Sequence, residues 1–336
     1  MSELNLPISV VIPTRNSMAL LPAHVEMMRP WLDRVEEVIV VDSESTDGTV
    51  EFLQRSRLHP RVKFLSHPPG LYESWNHAIA ESGARYTYIS AVGDGISRNG
   101  LIHLVEVAED QSSDVVISPP KFVHESGVQK KRRRGWPVHT IIKHARLEEP
   151  ASFEGVLLFL LVVGLIPHAI LGSSSSNLYR TSTIQRYPFP VNFGHHGDGA
   201  WAAGYALNIR LGVTPREVSH FRLHRHSYTL PYREPELELH MIELALAHLR
   251  SEIDARPDFK IEVARWDAER FLTQFKEAKY WRTELRKHRA RSRFWMFNPQ
   301  AVWAKIRQSA TQRECDRLME SLMVPRNGRD QEQIPE

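Results

Sequence analysis

Hydrophobic positions in the first 120 residues fall into short continuous runs rich in Val and Ile, separated by longer stretches of mixed polarity. The runs predict strands at Ile8–Ile12, Val38–Val41, Val62–Leu65, Tyr86–Ala91 and Val115–Ile117. The stretches between them predict helices at Leu20–Leu32, Thr49–Ser56, Tyr72–Glu81 and Leu101–Glu109. Near-continuous apolar strands that alternate with helices are typical of βαβ units, whose parallel sheet is covered on both faces. The pattern therefore predicts an α/β fold.

The pattern changes twice further along the chain. Residues 121–232 are less regular, with a run of small residues at 172–176 and many histidines. From about Pro235 the chain reads as helical. Apolar residues recur there at helix-like spacing, at Leu237, Met241, Leu244, Leu246 and Leu249. We therefore expect three regions, at 1–120, 121–232 and 233–336.

The longest apolar run is Gly155–Leu171, which has 17 residues and is broken near its end by Pro167 and His168. A membrane-spanning helix needs about 20 apolar residues. The run therefore predicts a buried helix followed by a turn. A segment that lies on a bilayer surface or dips into it is the alternative.

Composition narrows the class of protein. The 336 residues contain one cysteine, Cys315, which excludes an intrachain disulfide and fits a reducing compartment. The net charge of +3 is too small to indicate a nucleic-acid partner. The N-terminus lacks the basic and apolar regions of a signal peptide, so we expect a cytoplasmic protein. The 17 histidines include no HExxH motif and there is no cysteine pair, which disfavours a zinc site.

Polar residues follow three of the predicted strands directly. Pro13–Asn16 follows the first strand, Asp42–Thr49 the second and Gly93–Gly95 the fourth. Each of these turns is common when it occurs alone. Parallel strands, however, bring their carboxyl ends to one edge of the sheet, and such sheets bind ligands at that edge. Arginine suits a phosphate, and a carboxylate can bind a ribose hydroxyl or a hard cation. No G-x-G-x-x-G follows the first strand and no Walker lysine loop is present, which disfavours nicotinamide enzymes and P-loop NTPases.

Four segments together resemble the family-2 glycosyltransferases of the GT-A fold. They are ISVVIPTRN, EVIVVDSESTDGTVEFL, GLYESWNHAIAESGARYTYISAVGD and RLHRHS. The resemblance is dense over 7–120, sparse over 172–229 and absent from the last hundred residues. It implies a Rossmann-like, mostly parallel sheet flanked by helices. Residues 1–120 would form the nucleotide-sugar half, 121–232 the acceptor-side half and 233–336 a helical C-terminal extension.

Carried over position by position, the resemblance implies roles for eight residues. The donor pocket would consist of Pro13, Thr14, Arg15, Asp42 and Asn76. Asp94 and His224 would hold Mn²⁺ or Mg²⁺. Asp198, in the segment HHGDGAW, would be the catalytic base, with His195 and His196 as rivals.

The chain departs from the family pattern at several positions. The metal turn has a single acid, Asp94, where the family commonly has two or three. Glu44 replaces a usual glycine, Gly197 stands where a glutamate often precedes the base, and Trp75 replaces a common arginine. The thinner metal motif makes His224 and the substrate phosphates more important.

The resulting hypothesis is an inverting transfer from a nucleotide diphosphate sugar, UDP-linked, to a hydroxyl of a saccharide or lipid-linked acceptor. Polysaccharide or glycolipid biosynthesis is the matching role. One alternative is a non-catalytic GT-A-like protein that binds nucleotide or a partner. A nucleotidyltransferase is disfavoured because no glycine- and lysine-rich phosphate loop lies near the N-terminus.

Two basic segments stand out in a nearly neutral chain. The loop 130–134 contributes +5, and Lys276–Arg293 has eight Lys or Arg against two Glu, with aromatic residues in and beside it. Basic residues with flanking aromatics suit an anionic membrane surface, which predicts a peripheral enzyme on the inner face of the membrane. A solvated helix with its aromatics in the core is the alternative. Nucleic acid is a weaker interpretation, because no recognition module is present.

Overall fold

Two sheets and twelve α-helices make up the described part of the chain. The computed structural model describes residues 5–124, 136–166, 168–223, 235–256, 259–291, 296 and 298–323. The strands are β1 Leu6–Thr14, β2 Val35–Asp42, β3 Val62–Ser66, β4 Tyr86–Ile89, β5 Gly95–Ile96, β6 Val115–Ile117, β7 Pro120–His124, β8 Ala151–Glu154, β9 Asn177–Arg180, β10 Arg210–Val213 and β11 Ser219–Leu223.

The helices account for most of the remainder. They are α1 Leu21–Leu32, α2 Thr49–Arg55, α3 Leu71–Ala80, α4 Arg98–Asp110, α5 Pro137–His144, α6 Gly155–Leu165, α7 Thr181–Arg186, α8 Gly197–Tyr205, α9 Pro235–Ala255, α10 Phe259–Arg265, α11 Ala268–Arg291 and α12 Pro299–Met323. Short 3₁₀ helices occur at Ser174–Ser176, Gly194–His196 and Ala206–Asn208. Every helix and strand predicted in the first 120 residues is present, with ends shifted by a few residues.

The larger sheet has eight strands in the order β3-β2-β1-β4-β9-β6-β10-β8. The first four strands pair in parallel. Strand β9 then runs antiparallel to both β4 and β6, and β8 runs antiparallel to β10. The predicted mostly parallel α/β sheet is confirmed. The sequence pattern did not show that β9, from the middle region, separates β4 from β6.

Hydrophobic clusters cover both faces of this sheet. In β1, Ile8, Val10 and Ile12 belong to the cluster that includes α1 and α4. Val11 belongs to a larger cluster on the opposite face, with α3, α6 and α8. This alternation follows from the two-residue repeat of a strand. It explains why the strands are apolar along their whole length.

The long apolar run forms helix α6, and the side chains from Leu158 to Val163 are all buried in the larger cluster. The buried helix predicted for this run is confirmed, and the alternative of a segment on a bilayer is wrong for these residues. Pro167, in the predicted turn, lies outside the described residues. Within the described ranges, no helix combines the length and the apolar character needed to cross a membrane.

The helices after residue 234 share the larger cluster. Met241 and Leu249 of α9 are buried in it, as the spacing predicted, and the Met319 side chain of α12 lies over Gly164 of α6. Helices α11 and α12 form an antiparallel hairpin, because the Arg270–Glu314 ion pair and the Trp281–Trp303 ring contact both join them. The boundaries expected at 120 and 232 stay predictions.

The smaller sheet positions the turn after β4. Its order is β5-β11-β7, with β11 antiparallel to β5 and parallel to β7. His220 of β11 pairs with Gly95, directly after Asp94. A side chain at position 95 would meet the His220 ring, since a Cβ there would lie 2.6 Å from the ring Cε1. Glycine at this position therefore lets β11 approach the Asp94 turn.

Candidate active site

The ends of β1 and β2 form the first part of the site. Thr14 and Asp42 are register partners at the carboxyl ends of these parallel strands. The Thr14 hydroxyl donates to Asp42 Oδ1 at 2.8 Å, while Ser45 donates its backbone N–H to Oδ2 at 2.8 Å and its hydroxyl to Oδ1 at 2.6 Å. These hydrogen bonds fix the carboxylate at the sheet edge. A fixed carboxylate suits a ligand hydroxyl or N–H.

The loop after β2 is held by side chains that replace regular pairing. The side-chain oxygen Oδ1 of Asn16 accepts from the Thr46 N–H at 2.9 Å, and Asp47 Oδ1 accepts from the Thr49 hydroxyl at 2.6 Å. This hydroxyl, with backbone donors, lowers the pKa of Asp47. Glu44 has a φ of 56°, which is the left-handed region that favours glycine. Glycine, which is usual in the family at this position, adopts this backbone conformation without strain, whereas Glu44 adopts it with strain.

Arg15 and Pro13 flank this network. Arg15 is exposed, and its backbone N–H donates to the Ser17 hydroxyl at 3.2 Å. Pro13 is partly buried opposite Val41 in the strand pair. An exposed guanidinium beside a loop rich in N–H and hydroxyl donors is compatible with a phosphate group.

Asp94 lies in a more enclosed setting, with 6% of its surface exposed. Its Oδ1 accepts from the Arg222 backbone N–H at 2.9 Å and its Oδ2 from the Ser173 hydroxyl at 3.1 Å. Burial raises the pKa of Asp94 to about 7 despite these two donors, which favour the ionised form. The carboxyl group therefore changes charge near neutral pH.

His24 braces the same turn from the other side. One ring nitrogen lies 3.1 Å from the Asp94 carbonyl oxygen and the other 3.0 Å from the Ser90 hydroxyl. Burial lowers the pKa of His24 to about 4, so the ring is neutral at physiological pH. It acts as a structural link between α1 and the turn.

Asp94 alone offers too few oxygen ligands for a hard cation, so substrate oxygens would have to supply further ligands. Among the described residues no three His, Cys, Asp or Glu side chains are grouped as a metal site. His224, the second expected ligand, lies outside the described residues. Mg²⁺ commonly takes one or two carboxylates, with phosphate oxygens and water completing its shell. Asp94 would be the one described protein ligand in such an arrangement.

Asp198 lies in the first turn of α8. Its Oδ1 accepts from the Gly199 N–H at 2.7 Å. The Tyr72 hydroxyl donates to the His195 carbonyl at 3.4 Å and lies near enough to the Asp198 carboxylate to favour its ionised form. Burial raises the pKa of Asp198, while these two donors and nearby His196 lower it. A carboxylate whose pKa is raised is a stronger base than one in water.

Tyr72 holds this part of the site together. It is 4% exposed, its ring stacks on Phe189 at 5.6 Å, and Trp75 packs against it edge-on at 5.2 Å. A Cβ at position 197 would lie 2.5 Å from two carbons of the Tyr72 ring. Gly197, where the family often has glutamate, thus leaves the space that Tyr72 fills.

Asn76 uses its amide on the backbone of Phe189. The Phe189 N–H donates to Asn76 Oδ1 at 2.9 Å, and Asn76 Nδ2 donates to the Phe189 carbonyl at 2.8 Å. These bonds attach the segment before Asp198 to α3. The expected contact of Asn76 with a nucleotide stays a prediction.

The structure joins some of the expected site residues directly and adds others. Thr14 contacts Asp42, whereas Asp94 and Asp198 each have their own partners. The sequence patterns missed Ser173, which donates to Asp94, and Tyr72, whose hydroxyl lies beside Asp198. Tyr72 lies inside the GLYESWN segment and Ser173 begins a run of serines, so each had a signal but no assigned role.

Solved structures confirm the fold. S. aureus TarS 1-349 in complex with UDP aligns over 92% of this chain and 90% of its own, with a TM-score of 0.50 and 17% identity. The same protein with UDP-GlcNAc covers 94% and 90%, at a TM-score of 0.51 and 16% identity. A mannosyltransferase from Pyrobaculum calidifontis with GDP-Man and Mn²⁺ covers 94% and 84%, at 15% identity, but its TM-score of 0.47 is too low for comparing sites. No curated protein matches the chain.

Together the sheet and its flanking helices have the GT-A fold of these structures. The family follows from the sequence itself. Residues 9–170 match the family model of glycosyl transferase family 2, so the chain carries a family-2 glycosyltransferase domain. Transfer of a sugar from a nucleotide sugar is the corresponding class of reaction.

Proposed function

We propose that the protein transfers a sugar from a UDP-linked donor to an acceptor hydroxyl with inversion, and that Asp198 is the base. The hydrogen bond from the Tyr72 hydroxyl to the His195 carbonyl at 3.4 Å, which places the hydroxyl beside Asp198, carries this proposal. It brings an acid from the middle region to the start of α3, which begins four residues after His67. The His67 N–H donates to the Asp42 carbonyl at 3.0 Å. The segment from His67 to Tyr72 would thereby connect the nucleotide-binding edge at Asp42 to the base Asp198.

Thr14, Arg15 and Asp42 would hold the nucleotide. Asp42 is fixed to accept from a ribose hydroxyl or a base N–H, and the Arg15 guanidinium suits the diphosphate. TarS structures contain UDP and UDP-GlcNAc, which supports a UDP-linked donor for a chain of the same fold. Pro13 and Asn76 would complete the pocket.

Asp198 would remove the proton from the acceptor hydroxyl as that oxygen attacks the anomeric carbon. General base catalysis of this kind contributes about 10²–10⁴ in rate. A single attack from the side opposite the leaving nucleoside diphosphate inverts the configuration at that carbon. The acceptor would be a saccharide or a lipid-linked saccharide.

Asp94, together with His224, would hold Mn²⁺ or Mg²⁺ against the diphosphate. The cation, when bound, stabilises negative charge on the leaving group as a Lewis acid. Ser173 and the Arg222 N–H fix the orientation of the Asp94 carboxylate for this role. A non-catalytic protein that only binds nucleotide is the second candidate, and the single carboxylate of the metal turn favours it.

Asp198→Asn tests the base. We expect UDP binding by calorimetry to stay within about twofold, while donor hydrolysis and transfer fall by about 10²-fold or more. The assay uses UDP-sugars with soluble glycosides, with Mn²⁺, Mg²⁺ or EDTA, and proton NMR of the product reports its anomeric configuration. Asp110→Asn, at an exposed position at the end of α4, is the control and should behave as wild type.

The outcomes separate the candidates. Full turnover by the Asp198→Asn variant would remove Asp198 from the mechanism, and retained configuration in the product would exclude inversion. Nucleotide binding without hydrolysis or transfer in the wild type would favour the non-catalytic candidate. Equal rates with metal and with EDTA would contradict the metal at Asp94.

A further inference from the structure

The structure divides the basic C-terminal stretch into an inner and an outer part. Lys279, Arg282 and Arg286 turn inward to Glu238 of α9, with nitrogen–oxygen distances of 3.7, 3.9 and 3.8 Å. Glu238 itself is 4% exposed. These three cations stabilise packing between α9 and α11. The membrane-binding surface predicted for the whole of Lys276–Arg293 therefore cannot include all of its cations.

The outer part lies at the end of the α11–α12 hairpin. It is here called the hairpin tip and is defined as the described residues of 280–307 other than Arg282 and Arg286. It contains five of the nine large hydrophobic side chains that are exposed among the described residues. They are Tyr280 at 50%, Met296 at 59%, Val302 at 38%, Trp303 at 50% and Ile306 at 60%. Such a concentration of exposed apolar area marks an interaction surface.

Positive charge surrounds these apolar side chains. The sequence has no Asp or Glu from residue 287 to residue 307. Among the described residues of that range, the exposed cations are Lys287, Arg289, Arg291, Lys305 and Arg307. Two carboxylates from earlier turns of α11 approach them, since Glu284 pairs with Lys287 at 2.8 Å and Glu277 lies 3.9 Å from Arg307. The hairpin tip keeps a strong net positive charge beside its apolar side chains.

The aromatic side chains are held in place by their neighbours. The Trp303 ring meets Trp281 edge-on with centroids 4.5 Å apart, and the Arg307 guanidinium lies 5.3 Å from the Trp303 centroid. Trp303 is therefore ordered on the surface while half of it is exposed to solvent. An ordered, half-exposed tryptophan beside an arginine suits the boundary between lipid headgroups and acyl chains.

We propose that the hairpin tip docks on the surface of an anionic lipid bilayer. Apolar side chains would enter the headgroup region, and the surrounding cations would face lipid phosphates. A second copy of the chain fits less well, because two tips would bring cations against cations with too few carboxylates to pair them. The proposal does not depend on the enzymatic activity.

The tip also follows the last contact of α11 with α9. Lys279 donates to the carbonyl of Ile166 at the end of α6, and Arg286 pairs with Glu238 of α9 about two turns further on. Beyond Arg286 the helix continues for five residues to Arg291, a rise of about 7.5 Å. Met296 follows this segment, and Val302, Trp303 and Ile306 lie in the first turns of α12.

Vesicle flotation of the full chain tests the proposal without nucleotide sugar. We expect binding to vesicles of about 70% phosphatidylcholine and 30% phosphatidylglycerol, little binding to pure phosphatidylcholine, and loss of binding at high salt. Ile306→Glu should lower the partition coefficient by about tenfold or more, and Lys305→Gln by about fivefold. Ile261→Glu, on α10 and 68% exposed in the wild type, is the matched control and should bind as wild type.

Several results would overturn the proposal. These are failure to bind anionic vesicles, equal binding to neutral vesicles, or wild-type binding by Ile306→Glu when circular dichroism shows it to be folded. Light scattering that shows a dimer of the wild type and a monomer of Ile306→Glu would instead assign the tip to self-association. Donor hydrolysis measured in detergent-free buffer reports separately on the proposed enzymatic function.

Discussion

Tyr72 shows how one residue links several features of the site. Its ring fills the space left by Gly197 and stacks on Phe189, and its hydroxyl donates to the His195 carbonyl beside Asp198. Burial raises the pKa of Asp198, and the Tyr72 hydroxyl lowers it. Burial, followed by the charge of Asp198, raises the pKa of Tyr72 well above its usual value, so the phenol remains a donor.

Tyr72→Phe should therefore change the pH dependence of transfer. Loss of the hydroxyl raises the pKa of Asp198 further, and a base acts only when it is ionised. The acidic limb of the kcat/KM profile should move to higher pH, with activity closest to wild type at the alkaline end. Steady-state kinetics from about pH 5 to pH 9 measure this shift.

The control for this prediction is Tyr205→Phe, at the other end of α8, where the tyrosine stacks on Tyr187 at 4.6 Å. Its acidic limb should coincide with that of the wild type. A Tyr72→Phe profile that falls equally at every pH would indicate a purely structural role for the tyrosine.

At the scale of elements, helix α8 depends on small residues for two different reasons. Gly197, at its start, leaves room for Tyr72 and for the Pro190 carbonyl oxygen. Gly204, near its end, has room for a methyl group, because a Cβ there would lie 3.7 Å from the Leu244 Cδ2, an ordinary van der Waals distance. The same residue type is required at one position and merely tolerated at the other.

Gly197→Ala should lower the free energy of unfolding by about 1–3 kcal/mol, since a methyl group meets the Tyr72 ring. Gly204→Ala should be neutral or raise it by up to about 1 kcal/mol, because alanine in a helix interior loses less backbone entropy than glycine. Urea denaturation of both variants gives the comparison. Equal effects at the two positions would contradict the packing described for Tyr72.

At the scale of the whole molecule, the C-terminal helices are joined to the catalytic domain by apolar packing and by a buried ionic cluster. Glu238 faces three cations of α11, and one of these, Lys279, also donates to the Ile166 carbonyl. Burial lowers the pKa of Lys279 to about 8, although Glu238 opposes that shift. The cluster thus connects α9, α11 and α6.

Glu238→Gln should lower the free energy of unfolding by about 3 kcal/mol or more, because it leaves a buried cation without its counter-charge. Glu243→Gln, on the exposed side of the same helix, should change it by no more than about 0.5 kcal/mol. Guanidinium denaturation followed by circular dichroism measures both. Similar effects of the two substitutions would show that the ionic cluster contributes little.

Much of the first 120 residues could be predicted, because apolar strands buried on both faces have a strong local signal. Val115–Ile117 was predicted residue for residue. The smaller sheet was not predicted, since β5 has two residues and is formed only by pairing with distant β11. Likewise, Asp94 and Asp198 could be selected from turn motifs, but Ser173 and Tyr72, which lie beside them in the folded chain, could not.

The sequence by itself determined the alternation of strands and helices, the polar turns at their carboxyl ends and the two basic segments, because each depends on neighbours a few residues apart. The tertiary structure alone decided which partners hold Asp94 and Asp198, how β9 enters the sheet, and which cations of α11 turn inward to Glu238. Those features depend on contacts between residues far apart in the chain. Their stability comes from burial and from hydrogen bonds that exist only once the elements have packed.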